Sequence, residues 1–271
     1  MKLCFSTLGC PDWSFEKVVS EAWCMGYSAI EVRGIGDALP IDQIPALRPE
    51  NQEKTQALLS TAGIRIASLN TSATLQDPAT LPAALAETKA ALAVANRMNV
   101  PAIRVFGDSR PNDKLSELPW RPVADGLLAM CDAAQSMGAA QIWLEIHGAI
   151  NTVEILTPIL DLVGSHPSFG IIWDIEHSFK PVGNDIDAFY ELVRPYTKHT
   201  HIKDCKKTPS GYQCVLPGEG DIDIAKIVER LQSDGFAGCY SFEWEKRWHK
   251  ELPDPELAFP AYVKFMEQIG K

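Results

Sequence analysis

The segment FGIIWDIEHSF, residues 169–179, begins as a buried strand and ends in side chains that can carry chemistry. Asp174, Glu176 and His177 fall within four positions directly after an apolar run. Carboxylates and imidazoles bind metal ions and exchange protons, although a strand that simply runs out into solvent could carry the same residues. The elements around this segment must decide between a functional site and a solvated strand end.

Short apolar segments with β-forming residues recur along the chain, and each is followed by a stretch in which apolar residues recur at intervals of three and four. Such alternation of strands and helices indicates a parallel sheet, because parallel strands need crossover connections. Eight units in about 250 residues predict a closed (β/α)₈ barrel, the TIM barrel. The predicted strands are KLCFSTL, AIEVRG, IRIASLN, AIRVFG, QIWLEIHG, FGIIWDI, KHTHIKD and GCYSFEWE.

A doubly wound open sheet is the main alternative fold, and it normally carries a glycine-rich phosphate-binding turn after its first strand. The turn here, STLGCPDWS, has no GxGxxG pattern. No linker, low-complexity tract or change of composition marks a second domain. We therefore predict a single α/β barrel domain over residues 1–271, and the turn signal TPSG suggests a hairpin insertion at about residues 204–220.

Polar residues stand at the ends of the last four predicted strands, where the active site of such a barrel forms. Alternation of side chains along each strand places one carboxylate or imidazole per strand toward the barrel interior. Unpaired buried charges are costly, and three carboxylates would repel one another without a cation. The oxygen-rich set predicts one divalent cation, with Mn²⁺, Mg²⁺ or Co²⁺ favoured and Zn²⁺ also compatible. These residues are Glu145, Asp174, His201 and Glu243.

The motifs LEIHG, WDIEH, HIKD, PGEGDID and FEWE, in this order, resemble those of the xylose-isomerase-like superfamily of sugar and sugar-phosphate isomerases and epimerases. The resemblance runs essentially from end to end, and DxxH followed by HxKD, GEGD and a final strand glutamate is its most specific part. It implies that His177 binds substrate and that one divalent cation is held by Glu145, Asp174, His201 and Glu243.

The activity implied by the resemblance is that of a metal-dependent isomerase or epimerase acting on a small keto-sugar, sugar phosphate or related polyol ketone. Glu145 and Glu243 would exchange protons with the substrate through a metal-bound enediolate. His177 and Lys203 could bind substrate oxygens or stabilise the negative charge that develops.

Four further residues are weaker candidates for substrate contact. His147 shares the face of Glu145 and could instead support a metal ligand from behind. Trp13 lies in the loop after the first strand, where packing within the loop is an alternative role. Glu219 lies in the PGEGD turn, where acidic residues commonly serve only the turn. Lys207 takes a place that holds an Arg in the ketose 3-epimerases.

Lys207 and Asn151 mark two departures from the ketose 3-epimerase branch, which has a second Glu at the place of Asn151. Neither position belongs to the predicted metal set. Both changes argue against a simple ketohexose and leave a phosphorylated ketose, an inosose or elimination from a keto-sugar open.

Three alternative functions follow from the same residues. A lyase or dehydratase on an inosose or keto-sugar would use the same metal site. An abasic-site endonuclease, known from a related barrel family, would need additional histidines that ASLNTS, RVFGDS and CVLPGEGD lack. A non-catalytic sugar-binding protein could keep the barrel, but it has no need of two proton-accepting glutamates.

Composition limits the partners and the compartment. A formal charge of −10 and no Lys/Arg run argue against nucleic acid. Seven scattered cysteines without a CxxC pair favour a reducing compartment. The sequence shows neither a signal segment nor a membrane-spanning apolar run, so we predict a cytoplasmic enzyme without a membrane partner. Assembly into a homo-oligomer is compatible with the family, but no sequence feature sets its order.

Overall fold

Eight parallel strands close into a barrel in the computed structural model, which describes residues 1–108 and 120–270. Around the barrel each strand pairs with its neighbour in the chain, and the last strand closes the ring against the first. The predicted TIM barrel is therefore confirmed. The barrel strands are β1 Lys2–Ser6, β2 Ala29–Val32, β3 Arg65–Thr74, β4 Ala102–Phe106, β5 Gln141–Glu145, β6 Phe169–Asp174, β7 Thr197–Ile202 and β10 Cys239–Phe242.

Helices connect the strands, and some of their ends are capped by residues that the sequence provides. Ser14 accepts a hydrogen bond from Lys17 N at the start of α1, and Gly63 adopts a left-handed conformation at the end of α2. None of the helices within the described ranges is long and apolar enough to cross a lipid bilayer. The α-helices are α1 Phe15–Cys24, α2 Gln52–Ala62, α3 Leu81–Met98, α4 Trp120–Met137, α5 Val153–Val163, α6 Ile175–Val182, α7 Asp187–Val193, α8 Ile224–Ser233 and α9 Pro255–Ile269. Short 3₁₀ turns cover Thr7–Gly9, Ile41–Gln43, Pro45–Leu47 and Pro49–Asn51.

The two faces of the strands serve different purposes. Outward residues such as Leu144 and Ile146 pack in the main core between barrel and helices. Small apolar side chains at the N-terminal end form a separate buried cluster, Cys4, Ala29, Ala67 and Cys239. Charged and polar side chains lie at the opposite end of the barrel, so the apolar layer closes the bottom and leaves the chemistry at the top.

An antiparallel hairpin follows β7 and consists of β8 Asp204–Thr208 and β9 Gly211–Val215. The buried carboxylate of Asp204 ties the segment after the hairpin back to the barrel, because its Oδ2 accepts hydrogen bonds from Gly218 N at 2.8 Å and Gly220 N at 2.9 Å. A Cβ at position 220 would lie 2.1 Å from Asp204 Oδ1, so this close approach requires glycine. The loop is therefore fixed beside the end of β7.

Candidate active site

The structure brings the four residues of the predicted metal set together at the mouth of the barrel. Asp174 and His201 are direct partners in the register of β6 and β7. His201 Nδ1 lies 3.2 Å from Glu145 Oε1, 3.3 Å from Glu243 Oε2 and 3.8 Å from Asp174 Oδ2. One ligand atom from each of the four lies within 4.8 Å of the others, and all four side chains are buried.

Asp174 uses its two carboxylate oxygens for different tasks. Its Oδ1 accepts hydrogen bonds from Glu176 N at 2.9 Å and His177 N at 3.1 Å, and thereby caps α6, which begins immediately after the strand. Its Oδ2 accepts no hydrogen bond and faces two charged groups, Lys203 Nζ at 3.0 Å and His201 Nδ1 at 3.8 Å. In the segment FGIIWDIEHSF, the strand thus turns directly into a helix, and Asp174 Oδ2 is left available to a cation.

Buried cations keep the two glutamates ionised. Burial raises the pKa of Glu243, but His201 and Lys203 outweigh it and hold that pKa well below its usual range. For Glu145, burial and the charge of Glu243 raise the pKa. The charges of His201 and Arg104 and the hydrogen bond of His201 lower it by more, so the net change is downward. Burial is also the main reason that the pKa of Asp174 rises to about 6.

The donor set fits a divalent cation. Glu145 Oε2 and Asp174 Oδ2 are buried carboxylate oxygens that lie 3.0 Å from Arg104 Nε and Lys203 Nζ but accept no hydrogen bond, so their lone pairs are free to bind a metal ion. Three carboxylates and one imidazole suit a hard or borderline ion, and this set includes Zn²⁺ as well as Mn²⁺ and Mg²⁺. We therefore regard this cluster as the candidate metal centre.

Glu31 on β2 is a site residue that sequence reasoning missed. It is fully buried, and its Oε2 lies 2.9 Å from His201 Nε2 and 2.7 Å from His199 Nε2. Asn70 Nδ2 donates to its other oxygen at 2.7 Å. A carboxylate behind a histidine fixes the ring orientation and makes the far nitrogen a better ligand. The only sequence signal was a lone acidic residue in the apolar segment AIEV.

Glu31, His199 and His201 form a second group whose ligand atoms lie close together. Both oxygens of Glu31 already take part in contacts within this group and with Asn70. The candidate metal centre, here called the upper cluster, retains carboxylate oxygens without hydrogen bonds and lies nearer the strand ends. These differences favour the upper cluster as the metal site and Glu31 as its support.

Replacing Glu31 with Gln is expected to lower the affinity for Mn²⁺ about tenfold, because the amide removes the negative charge behind His201. Competition against a metal-binding dye measures the affinity directly. The exposed Glu219→Gln variant is the control and should bind like the intact protein. Equal affinities in Glu31→Gln and the intact protein would show that Glu31 does not support the ligand.

His177 lies beside the cluster in a defined protonation state. Its Nδ1 accepts a hydrogen bond from Gly148 N at 3.1 Å, so a neutral ring carries its proton on Nε2. Burial, followed by the charge of His147, holds the pKa of His177 well below its usual range. The geometry therefore makes His177 a neutral donor, which suits contact with a substrate oxygen.

His147 and Asn151 both contact His177. The rings of His147 and His177 lie 4.4 Å apart, and Asn151 Nδ2 donates to His177 O at 3.0 Å. His147 Nδ1 lies 3.0 Å from Asp108 Oδ1. Burial lowers the pKa of His147, but the hydrogen bond and charge of Asp108 raise it more. His147 is thus placed next to the predicted substrate contact and not among the four converging ligands.

Lys203 and Arg104 supply the positive charge of the site. Lys203 Nζ lies 2.6 Å from Glu243 Oε2 and 2.7 Å from Glu245 Oε1. Burial lowers the pKa of Lys203, but the surrounding carboxylates raise it well above its usual range. Arg104 on β4 was missed by sequence reasoning, and its Nε lies 3.0 Å from Glu145 Oε2. Each catalytic candidate glutamate therefore has its own buried cation.

Three of the residues predicted from the sequence make no contact with the four candidate ligands in the part of the chain that the structure describes. Trp13 is buried against α9, where its Nε1 donates to Glu256 Oε1 at 3.1 Å and its ring meets Phe259 edge-on. Lys207 is exposed on β8, opposite Tyr212. Glu219 is exposed in the turn after the hairpin. Packing accounts for Trp13, and the other two stand at the surface.

Solved structures with the same fold cover nearly the whole chain. The IolI protein with a bound zinc atom has a TM-score of 0.80 and 21% identity, covering 99% of this chain and 98% of that one. The probable 3-DHS dehydratase AsbF of Bacillus anthracis has a TM-score of 0.78 and 17% identity, covering 98% and 99%. The 3-keto-D-glucoside 4-epimerase YcjR of E. coli has a TM-score of 0.71 and 16% identity, covering 100% and 99%. At these identities the likeness establishes the fold.

Sequence comparison adds a relative and a family. The inosose dehydratase of Clostridium perfringens is 27% identical over 165 residues. That match covers 54% of this chain and 52% of the relative, so the chain spans about half the length of the curated relatives it matches. A family model described as a xylose isomerase-like TIM barrel matches residues 19–269. This match confirms the resemblance drawn from the motifs, and the chain belongs to the xylose isomerase-like TIM barrel family.

Proposed function

We propose that this protein is a divalent-metal-dependent isomerase or epimerase of a small keto-sugar, sugar phosphate or related polyol ketone. The observation that carries the proposal is the approach of Glu145 and Glu243 to His201 Nδ1 from strands separated by two others. Two ionised carboxylates on either side of one point can remove a proton from a substrate and return one elsewhere. Membership of the family and the epimerase among the structural neighbours support this chemistry.

Glu145, Asp174, His201 and Glu243 would hold the cation. When bound, a divalent cation supplies Lewis acidity at a carbonyl oxygen and the adjacent hydroxyl oxygen, which makes the hydrogen between them more acidic. The zinc in the IolI neighbour makes Zn²⁺ a test ion together with Mn²⁺, Mg²⁺ and Co²⁺.

The proton transfers follow from the charges around the two glutamates. One glutamate takes the proton on the carbon beside the carbonyl, and the electron pair of that C–H bond forms the double bond of an enediolate. The other glutamate returns a proton to the opposite face of the same carbon in epimerisation, or to the next carbon in isomerisation. Lys203 and the Nε2–H of His177 would stabilise the negative oxygen.

A dehydratase is the second candidate, and the match to inosose dehydratase favours it. The probable 3-DHS dehydratase AsbF adds a structural neighbour of the same reaction class. The first proton transfer would be the same, but the enediolate would then expel a β-hydroxyl group. That group would leave as water after taking a proton from a donor such as Lys203 or His177, and the electron pair would close a new carbon–carbon double bond.

Solvent exchange tests the proposal and separates the two candidates. The Mn²⁺-reconstituted protein is incubated in D₂O with a panel of ketoses, ketose phosphates and inososes, and the products are examined by NMR and mass spectrometry. Deuterium beside the carbonyl without loss of water is the expected result, and a chelator should abolish it. Loss of water would assign the dehydratase, whereas neither exchange nor elimination with any panel member or ion would contradict both.

A further inference from the structure

Arg33 lies at the mouth of the barrel directly after β2. Its backbone N donates to Thr7 Oγ1 at 2.9 Å, and its Nη2 donates to Ser72 Oγ at 2.8 Å. Thr7 follows β1, and Ser72 lies in the C-terminal half of β3. Arg33 is therefore anchored among strand ends at the same end of the barrel as the candidate metal centre.

Arg247, in the segment after β10, contacts the segments that follow β1 and β2 at the mouth of the barrel. Its backbone N donates to Leu8 O at 3.0 Å, and its Nη2 donates to Gly36 O at 2.9 Å. These two acceptors follow β1 and β2 respectively. Arg33 and Arg247, here called the arginine pair, are thus both anchored to the segment after β1, Arg33 through Thr7 and Arg247 through Leu8.

Each guanidinium group of the arginine pair keeps one buried nitrogen without a hydrogen bond. Arg33 is only 7% exposed, yet its Nη1 is buried without a hydrogen bond, and the same is true of Arg247 Nε. Within residues 1–108 and 120–270, no carboxylate oxygen lies within 4.0 Å of either guanidinium group. A guanidinium group stays charged, so burying one without a counter-charge is unfavourable. An external anion would supply the missing partner.

The arginine pair lies within electrostatic reach of the candidate metal centre. Burial, followed by the charges of Arg104 and Arg247, lowers the pKa of Arg33 to about 10, which still leaves it charged at neutral pH. The charges of Glu87 and Glu145 oppose this change. Arg104 is itself paired with Glu145 at 3.0 Å, so the same arginine contacts a candidate metal ligand and acts by its charge on Arg33.

We propose that the arginine pair binds an anionic group, a carboxylate or a phosphate, at the end of the substrate remote from the reacting carbonyl. This inference rests on the proposed function, since it adds a negative charge to the keto-sugar that the metal centre would process. Guanidinium groups bind carboxylate and phosphate oxygens through paired N–H donors, and unpartnered donors remain on both arginines. The net charge of −10 makes indiscriminate anion binding elsewhere on the protein unfavourable.

Three matched probes test the subsite by titration calorimetry on the Mn²⁺-loaded protein: fructose, fructuronate and fructose 6-phosphate. At least one anionic probe is expected to bind about tenfold more tightly than fructose, and comparison of the two identifies the carboxylate or the phosphate as its preferred group. Arg33→Met and Arg247→Met should remove this preference and leave fructose binding within about twofold. Arg48→Met, which removes an exposed arginine near the same end, is the control and should change nothing.

A second measurement is independent of the metal and of catalysis. Inorganic phosphate is expected to raise the melting temperature of the metal-free protein, and Arg33→Met should abolish the rise while Arg48→Met keeps it. Arg33→Lys keeps the charge without the paired donors, and it replaces Arg33→Met if that variant does not fold.

Equal binding of all three sugars with intact solvent exchange would overturn the subsite and leave the proposed function standing. A phosphate effect specific to Arg33, without exchange on any ketose, would support the subsite and contradict the proposed function. Absence of both the phosphate effect and the preference for anionic probes would overturn the subsite.

Discussion

Replacing His201 with Ala is expected to reduce the bound divalent cation from about one per chain to none. The imidazole is the only nitrogen donor of the candidate centre, and its Nδ1 is the common neighbour of the three carboxylates. Without it, the centre loses one of its four ligands and the buried ring that lies between the three carboxylates. Elemental analysis after reconstitution with Mn²⁺ and removal of free ions gives the stoichiometry.

His199→Gln is the matched control for this experiment. His199 is a buried histidine on the same strand and contacts the same Glu31 oxygen, but it does not belong to the four-residue cluster. The variant should therefore keep about one ion per chain. Loss of the ion in both variants would move the metal to the lower group of Glu31, His199 and His201. Retention of the ion in His201→Ala would contradict the metal centre altogether.

The convergence of the four candidate ligands could be predicted because two simple rules apply to them. The C-terminal ends of parallel barrel strands meet at one mouth, and side chains alternate along each strand. Glu145, Asp174 and His201 lie on three consecutive strands, β5, β6 and β7, and Glu243 directly follows the next strand around the barrel, β10. Knowledge of the strand order was thus enough to place them together.

The supporting residues could not be predicted in this way. Glu31 meets His201 across 170 positions of sequence, and only closure of the barrel brings β2 and β7 within reach. Within the short segments AIEV and AIRVF, Glu31 and Arg104 look like ordinary polar interruptions of a strand. Their importance lies in the charge of a partner on a distant strand, which a local pattern does not contain.

Loop residues were the other weak point of the sequence. Alternation ends with the strand, so position alone did not say whether Trp13 turns toward the mouth or toward a helix. In the structure Trp13 is held by Glu256 and Phe259 of α9. The opposite case is His177, whose place was fixed because α6 begins at Ile175, directly after the Asp174 cap. The direction of a side chain outside a strand can be predicted only when a neighbouring element, such as a capped helix, fixes its position.

Replacing Glu243 with Gln is expected to lower turnover and solvent deuterium exchange by about 10²- to 10⁴-fold. The amide keeps the size of the side chain and one oxygen ligand, but it can no longer accept a proton at neutral pH. The ionised state of Glu243 depends on His201 and on Lys203, whose Nζ lies 2.6 Å from its Oε2. Steady-state kinetics and NMR exchange rates on the substrate found by the panel measure the effect, and the metal content should stay close to one ion per chain.

Glu245→Gln separates proton transfer from a general loss of negative charge beside Lys203. Glu245 contacts the same Nζ at 2.7 Å, but its side chain is 29% exposed and it is not among the four converging ligands. This variant should keep most of its turnover, because it changes the environment of Lys203 and leaves both proton-accepting glutamates in place. A comparable loss in the two variants would assign the effect to Lys203. Full turnover in Glu243→Gln would remove Glu243 from the proton-transfer pathway and leave Glu145 as the other candidate base.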